Sequence, residues 1–362
     1  MLKQDLAVRP LPIVIEEITP EWLTAALRTR VAEATVVGMQ ILEVIGGTCT
    51  KVRLQLELNE AARRAGIAER VVLKGGFEKH SRQFPHRHEL EVRAYRDVLP
   101  ALELPSPACF FAEYSQDQLQ GIVIMEDLAV RGVTFCQIQK PQTHDQVAQR
   151  LTVLARFHAK TWDSPEFHMG RWEWVPNALP QYLKRNSRYL EPETWRRFLD
   201  TPQAAAASVR FHDSVWMEQA LTKIVNYSQV RPHVLLHGDC HPGNLYIDVD
   251  GTPSFFDPAP SRAPFMRDVG YHIGAALDTA ERRKWEAALL QHYLDELRWN
   301  GVNPPDFDET LFDYGVYLAL SYFIWLINET HYQSPANNTA CVARFSAAMI
   351  DHDTIALLRK LD

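Results

Sequence analysis

The chain has 362 residues, a net charge of −7 and no basic tract, so it offers no electrostatic reason to expect binding to nucleic acid or to an anionic membrane. Its apolar fraction of 46% and charged fraction of 23% are those of a globular protein long enough for two or three domains. A small molecule is the partner that these properties favour.

The five cysteines are odd in number, widely scattered and free of any C-x-x-C spacing. This usage predicts reduced thiols in a cytoplasmic protein rather than a disulfide framework. The first ten residues, MLKQDLAVRP, contain no apolar stretch, and the longest apolar run, at 316–327, is shorter than the roughly 20 residues that span a bilayer. We therefore expect neither secretion nor membrane insertion.

The first third of the chain is dominated by strand patterns. In KVRLQLELN, at 51–59, apolar and polar residues alternate with the period of a half-buried strand. RVVLKGG at 70–76 and GIVIMEDL at 121–128 indicate buried strands, and HELEVRAYRDVL at 88–99 indicates a helix between them.

The pattern becomes helical after residue 140. Thr143 and Gln146 have the spacing of a capping box, which predicts a helix start. Further amphipathic stretches lie at about 213–228, 280–298 and 309–328. We predict an α+β protein with a sheet-rich domain at 1–128 and a larger helical domain at 129–362.

The second domain contains a polar segment, HGDCHPGNLYIDVDGTPSFFDP, at 237–258. Asp250-Gly251 is a strong signal for a two-residue hairpin turn. Such a turn would place Asn244 directly opposite Asp257, with Cβ atoms roughly 5 Å apart on one face. Two oxygen ligands in this arrangement could hold a hard cation such as Mg²⁺.

Other interpretations of this segment are less well supported. The pair could be polar groups at strand ends without a metal. A zinc site at His237, Cys240 and His241 lacks an obvious fourth ligand. A serine nucleophile would need a G-x-S-x-G elbow, and nothing else in the chain supports acyl transfer by Cys240.

The spacing of Asp239 and Asn244, in H-G-D-x-x-x-x-N, resembles the catalytic loop of protein kinases. HGDCHPGN followed by a strand and FFDP resembles more closely the aminoglycoside phosphotransferase and choline kinase-like superfamily. The resemblance implies a protein kinase-like fold of two lobes and ATP-dependent phosphorylation of a hydroxyl on a small molecule. It further implies that Asp239 is catalytic and that Asn244 and Asp257 bind Mg²⁺.

The resemblance also implies an ATP site in the first domain. Lys74, at the end of VVLK, would contact the α and β phosphates, and Glu91 would position it. Glu89 is the alternative partner, but Glu91 lies one helical turn before Tyr95 and fits the family pattern better.

The remaining nucleotide contacts are implied in the same way. Gly46, Gly47 and Thr48 lie where a phosphate loop should connect the first two strands, although this is not a G-x-G-x-x-G loop. The backbone of Glu126 and Leu128 would bind the adenine edge.

Several features extend the resemblance. His237 and Asp268 are expected to support the catalytic loop, and His158 is expected to be a packed structural histidine. The residues at 77–107, together with IMEDL at 124–128, lean toward the ecdysteroid kinase-like branch. Aromatic residues in the last third favour a helical core over a ligand cage: Tyr314, Tyr317, Tyr322 and Trp325.

One competing hypothesis is a non-catalytic kinase-like module that binds a nucleotide or a partner. Loss of Lys74, Asp239, Asn244 or Asp257 would favour it, and all four are present. No sequence feature names the acceptor or indicates an oligomeric state.

Overall fold

The described part of the chain forms two compact units. The computed structural model describes residues 10–46, 49–79, 81, 85–140 and 142–361. The first unit ends at Thr134 and also contains the turn Asp248–Asp250, while the second unit contains the rest. None of the described helices combines the length and the apolar character needed to cross a membrane.

The first unit is built on a five-stranded sheet. Its strands are β1 (Val36–Ile45), β2 (Thr50–Leu58), β3 (Arg70–Gly75), β4 (Cys109–Ser115) and β5 (Gln120–Glu126). They lie in the order β1-β2-β3-β5-β4, and every neighbouring pair is antiparallel. The alternation predicted for β2 is confirmed, because Val52, Leu54, Leu56 and Leu58 are buried and the residues between them are not. Side chains on one face therefore form the core of this unit.

Short helices accompany this sheet. They are α1 (Pro20–Arg28), α2 (Glu60–Arg64), α3 (Pro85–Arg93), α4 (Leu99–Leu102) and α5 (Leu128–Arg131). Helix α3 continues through a π-helical turn, Ala94–Val98, which confirms the helix predicted at 88–99. Val92, Tyr95 and Val98 are buried along this helix, and α3 packs against β4 and β5. The packing fixes the face from which Glu91 projects.

The second unit is mainly helical. Its helices are α6 (His144–Ala159), α7 (Ala178–Asn186), α8 (Pro192–Leu199), α9 (Pro202–Ala205), α10 (Ser214–Ser228), α11 (Met266–Ala276), α12 (Thr279–Trp299), α13 (Phe307–Leu326), α14 (Pro335–Asp351) and α15 (Thr354–Arg359). The predicted capping box is present, with reciprocal hydrogen bonds between Thr143 and Gln146 at the start of α6. The three predicted amphipathic stretches correspond to α10, α12 and α13. An antiparallel sheet in the first unit and helices in the second confirm the α+β class.

Helix α13 is apolar on nearly every side. Tyr314, Tyr317, Tyr322 and Trp325 are at most 1% exposed, so they belong to the helical core that their spacing predicted. Helix α13 packs against α10, α11, α12 and α14. These residues stabilise the helices that carry the candidate site.

Five short strands remain: β6 (Thr134–Phe135), β7 (Val234–Leu236), β8 (Leu245–Ile247), β9 (Pro253–Phe255) and β10 (Ser261–Ala263). β7 pairs with β10, and β8 pairs with β9. The N–H of Cys136, directly after β6, donates to the carbonyl of Leu245 in β8. These strands fix both ends of the polar segment at 237–258.

Candidate active site

The loop after β7 needs glycine at position 238. The N–H of Ala259 donates to the carbonyl of His237 at 2.8 Å, which brings two backbone segments close together. Gly238 has φ +85°, and a Cβ there would lie 2.1 Å from the carbonyl oxygen of Ala259. Only a residue without a side chain fits both the conformation and the space. The glycine of H-G-D therefore turns the chain so that Asp239 leaves the strand.

The Asp239 carboxylate is held from both sides. Its Oδ2 accepts a hydrogen bond from Asn244 Nδ2 at 3.0 Å, and its Oδ1 accepts one from the Tyr271 hydroxyl at 3.2 Å. Asn244 Nδ2 also lies 2.9 Å from the Asp239 backbone oxygen, which it contacts as a donor. The Asp239 side chain is nevertheless 41% exposed. An oriented, accessible carboxylate can accept a hydrogen bond from an approaching hydroxyl.

A buried carboxylate organises this loop. Asp268, which is fully buried, accepts hydrogen bonds from the N–H groups of His237 at 2.8 Å and Gly238 at 3.1 Å. His158 Nε2 lies 3.4 Å from Asp268 Oδ2, and His158 Nδ1 contacts the Tyr293 hydroxyl at 2.7 Å. These contacts agree with the supporting positions expected for Asp268 and with the structural position expected for His158.

The Asp268 carboxyl stays ionised despite its burial. Burial alone would raise its pKa, but the contact with His158 and the positive charge of Arg267 hold the pKa below its usual value. The negative charge strengthens the hydrogen bonds from the two loop amides. Asp268 thus fixes the backbone that precedes Asp239.

The histidines of the loop are used as neutral supports. His237 Nδ1 accepts from the N–H of Asp239 at 3.3 Å, and its Nε2 lies 3.2 Å from the carbonyl of Phe256. His241 Nδ1 accepts from the N–H of Gly243 at 3.0 Å. Burial lowers the pKa of both rings.

Cys240 donates to the carbonyl of Asp268, so each of the three residues considered as zinc ligands, His237, Cys240 and His241, has a hydrogen-bonding role within the loop.

A further histidine, His272 in α11, gives the protein a predictable acid sensitivity. Its ring is fully buried, with Nδ1 2.9 Å from the carbonyl of Cys240, and burial lowers its pKa from 6.5 to about 3. Between these values the unfolded chain binds a proton that the folded chain does not. The free energy of unfolding should therefore fall with decreasing pH across this window, by about 1.4 kcal/mol per pH unit from this residue.

Urea unfolding between pH 7.5 and pH 5 measures this contribution. In His272→Gln the dependence of unfolding free energy on pH should be shallower than in the wild type by that amount. Other buried histidines add slopes of the same sign, so the difference between the two proteins is the quantity to compare. Equal slopes in both proteins would contradict a neutral buried His272.

The hairpin differs by one residue from the predicted register. The pairs are Leu245 with Phe255 and Ile247 with Pro253, so the prediction that Asn244 lies directly opposite Asp257 was wrong. A two-residue type I′ turn needs positive φ at both Asp250 and Gly251, and only Gly251 adopts it, at +88°. The turn therefore includes an additional residue.

Asp257 leaves the strand conformation after this shift. Its φ is +52°, a left-handed value that Asp tolerates better than most residues. The N–H of Phe256 donates to the carbonyl of Asn244 at 3.0 Å, which fixes the chain immediately before Asp257. The charges of Asp239 and Asp257 both act to raise the pKa of His241, against the larger effect of burial. Both carboxylates thus lie near the His241 ring.

In the first unit, Lys74 and Glu91 form a buried ion pair between Lys74 Nζ and Glu91 Oε1. The two residues are 5% and 9% exposed. Glu89 pairs instead with Arg93, at 3.0 Å along the same helix. The contact expected between Lys74 and Glu91, rather than Glu89, is therefore present.

The other expected nucleotide residues that the structure describes lie at the ends of β1 and β5. Gly46 directly follows β1, whereas Gly47 and Thr48 lie outside the described residues. The N–H of Glu126 donates to the carbonyl of Ala108 at 3.0 Å, so only its carbonyl could contact an adenine. Leu128 begins α5, where its N–H has no acceptor within the helix. A carbonyl and an N–H two residues apart can bind an adenine edge.

Residues 72–303 match the model of the phosphotransferase enzyme family. The chain belongs to this family. Among curated proteins, none matches the sequence. The leaning toward the ecdysteroid kinase-like branch stays a prediction, since the match is to the family as a whole.

Solved structures share the fold of this phosphotransferase family member at low identity. A putative aminoglycoside phosphotransferase from Ralstonia eutropha JMP134 is 14% identical, with a TM-score of 0.50 over 91% of this chain and 96% of that chain. The GDP and kanamycin complex of APH(2″)-IIIa is 9% identical, with a TM-score of 0.51 over 94% of this chain and 97% of that chain. These likenesses confirm the predicted kinase-like fold.

Tyr271 is a residue of this phosphotransferase that the sequence reasoning missed. Its ring stacks on Trp325 and Phe345, both at 6.1 Å and 16°, and it is 2% exposed. Burial raises its pKa well above the usual value, so the hydroxyl remains a hydrogen-bond donor to Asp239. The sequence did contain a pattern that could have identified Tyr271 as a site residue. Tyr271 lies three residues after Asp268 and therefore on the same helical face.

Removing this hydroxyl should affect turnover more than binding. In Tyr271→Phe one of the two donors that orient Asp239 is lost while the stacked ring remains. We expect kcat to fall by about 10-fold, with little change in the KM for nucleotide, because a misoriented group costs rate rather than nucleotide contacts. Steady-state kinetics measure the split, and a change confined to KM would contradict this positioning role.

Proposed function

We propose that this chain transfers the γ-phosphate of ATP to a hydroxyl group of a small molecule, with Mg²⁺ as cofactor. The observation that carries the proposal is the pair of hydrogen bonds from Asn244 and Tyr271 to Asp239, which leaves the carboxylate both oriented and accessible. Asp239 accepts a hydrogen bond from the acceptor hydroxyl and takes its proton as the phosphoryl group is transferred. Since phosphoryl transfer has a loose transition state, alignment contributes more than base strength.

The first unit would hold the phosphates. Lys74 contributes a positive charge for the α and β phosphates, and Glu91 fixes the position of its ammonium group. The burial of this pair matters, because a charge held in a low-dielectric environment acts more strongly on a bound anion. The carbonyl of Glu126 and the N–H of Leu128 would bind the adenine.

Asn244 and Asp257 are the residues that fit Mg²⁺. Asn244 turns its Nδ2 toward Asp239, so its Oδ1 faces the other way and can act as an oxygen ligand. Asp257 adds a carboxylate, and hard oxygen donors are the ligands that Mg²⁺ prefers. A bound Mg²⁺ would neutralise charge on the phosphates.

Substitution of Asp257 tests the proposed Mg²⁺ site. In Asp257→Ala the Mg²⁺-dependent part of nucleotide affinity should fall by at least about 10-fold, since a charged ligand is lost. Titration calorimetry with ATP, in the presence of Mg²⁺ and in EDTA, separates the two contributions. Asp257→Asn tolerates the left-handed backbone at this position and serves as the matched control for folding. Unchanged Mg²⁺ dependence in both variants would contradict the ligand assignment.

Acceptor-dependent ADP release tests the proposed function. Alcohols, amino sugars, choline-like compounds and steroids form the acceptor set, and GTP is tested beside ATP because a structure of similar fold contains GDP. The alternative of a non-catalytic nucleotide-binding module predicts thermal stabilisation by Mg-ATP without transfer to any acceptor. Phosphate transfer that the wild type performs and Asp239→Ala does not would support the proposed kinase activity.

A further inference from the structure

A cysteine, a histidine and a glutamate meet beside the buried ion pair of the first unit. Cys49 Sγ lies 3.4 Å from His88 Nδ1, and its thiol is placed to donate to Glu91 Oε2 at 3.6 Å. Cys49 is partly exposed, whereas His88 is 2% exposed. Glu91 uses its other carboxylate oxygen for Lys74. The thiol therefore lies next to both a base and a group that positions Lys74.

His88 is set up to accept a proton from this thiol. Its Nε2 lies 3.0 Å from the carbonyl of Ser81, which can only accept, so Nε2 carries the hydrogen and Nδ1 presents a lone pair to Cys49. Burial lowers the pKa of His88, with Lys74 and Arg87 acting in the same direction and the Ser81 carbonyl and Glu91 opposing it, so the ring is neutral and its Nδ1 can accept a proton.

The His88 ring is held rigidly. A Cβ on Gly76 would lie 2.8 Å from His88 Nε2, and a Cβ on Gly121 would lie 2.9 Å from the His88 backbone oxygen and Cβ. Any larger residue at these two positions would displace the histidine. A thiol facing the lone pair of an oriented imidazole is the arrangement that activates cysteine nucleophiles.

The other four cysteines have different environments. Burial raises the pKa of the Cys109 thiol to about 12 and raises that of Cys136. Cys240 and Cys341 are fully buried, and burial raises their pKa as well. These four residues provide internal controls for the reactivity of Cys49.

We propose that Cys49 is a reactive thiol and a site of modification by peroxides and other small electrophiles. The Cys49 proton passes to His88 Nδ1, and the thiolate sulfur attacks one oxygen of hydrogen peroxide. The S–O bond forms as the O–O bond breaks, and the leaving hydroxide takes the proton to become water. The sulfur is oxidised to a sulfenic acid while the peroxide is reduced. A small thiol can then convert the sulfenic acid to a mixed disulfide with loss of water.

Modification would act on the ion pair, and this consequence rests on the proposed function. An oxygen or a larger group on Cys49 Sγ would occupy the space that the thiol shares with Glu91 Oε2. Glu91 would then be pushed away from Lys74, and the lysine would lose the group that positions it for the phosphates. Oxidation of Cys49 should therefore reversibly inhibit phosphotransfer.

Peptide mass spectrometry after brief exposure of the reduced full-length protein to iodoacetamide tests the site directly. We expect Cys49 to be alkylated at least about 10-fold faster than each of the other four cysteines, because thiolate availability governs the rate. His88→Gln should slow the alkylation of Cys49 by about 10-fold or more, since its amide cannot accept the proton. If Cys240 and Cys341 are also alkylated in His88→Gln, that variant has unfolded. The order of cysteine alkylation rates in the wild-type protein then decides the test.

A second readout uses hydrogen peroxide. Dimedone should mark a sulfenic acid at Cys49, and treated wild-type enzyme should lose ADP release that a reducing thiol restores. Cys49→Ser should keep the rate it had before treatment. Cys49 alkylation no faster than that of partly exposed Cys136 would overturn the proposal. Fast Cys49 labelling without any phosphotransfer would instead count against the proposed function alone.

Discussion

In Asp239→Ala, phosphotransfer should fall by about 10²–10⁴-fold while Mg-ATP affinity stays within about twofold of the wild type. Asp239 is placed to contact the acceptor hydroxyl, whereas Lys74, Asn244 and Asp257 are assigned to the nucleotide and its metal. Removing the carboxylate therefore removes the proton acceptor without removing a nucleotide contact. Single-turnover ADP formation gives the rate, and equilibrium binding of Mg-ATP gives the affinity.

Asp239→Asn refines this result. An asparagine has the same shape, but it replaces one oxygen by an amide that donates, so it cannot accept from both Asn244 Nδ2 and the Tyr271 hydroxyl. We expect a loss nearly as large as in Asp239→Ala. Asp295→Ala, at an exposed aspartate of α12 whose hydrogen bonds within the described residues go to Gln291 and Arg298 of its own helix, provides the matched control with wild-type turnover. Full turnover in either Asp239 variant would refute the catalytic assignment.

Local sequence patterns were sufficient for the parts of the site that local geometry determines. The strand alternation before Leu58 and the helical spacing between Glu91 and Tyr95 each depend on a few neighbouring residues. That spacing, together with the pattern of the resembled family, distinguished Glu91 from Glu89, and the structure has Lys74 paired with Glu91. The glycine in H-G-D likewise has a purely local requirement, its positive φ.

The hairpin shows where a local rule becomes ambiguous. Asp-Gly occurs both in two-residue type I′ turns and in longer turns in which only the glycine is left-handed. The two cases differ by one residue in register, and they move Asp257 from a position opposite Asn244 to one beyond Phe256. Asp257 itself adopts a left-handed backbone conformation, which no alternation rule anticipates.

The sequence alone could not predict contacts between segments that lie far apart along the chain. Tyr271 reaches Asp239 across 32 residues, and Cys49 reaches His88 across 39. Each contact depends on how a helix packs against a loop, and a single sequence without that packing contains no measure of it. Chemistry that depends on such contacts, including the thiol at Cys49, becomes visible only once the fold is known.

Asp268→Ala should have the largest effect on stability among the site residues, lowering the free energy of unfolding by about 3–5 kcal/mol. The substitution removes a buried carboxylate and leaves the N–H groups of His237 and Gly238 without their acceptor. An unsatisfied buried amide costs about 1–3 kcal/mol, so two of them account for most of the expected loss. The freed loop would also release Asp239, and turnover should fall together with stability.

Urea unfolding at pH 7.5 measures the first effect, and the matched control is Asp278→Ala. Asp278 is also an aspartate that accepts from a backbone N–H, but it caps the half-buried start of α12, where its loss should cost only about 1 kcal/mol. Asp268→Asn should lie between the two, because its single carbonyl oxygen can satisfy one loop amide while its NH₂ group faces the other. If Asp268→Ala cost no more than Asp278→Ala, the loop before Asp239 would not depend on this carboxylate, and the rigidity of Asp239 would need another source in the contacts of Tyr271 and Asn244.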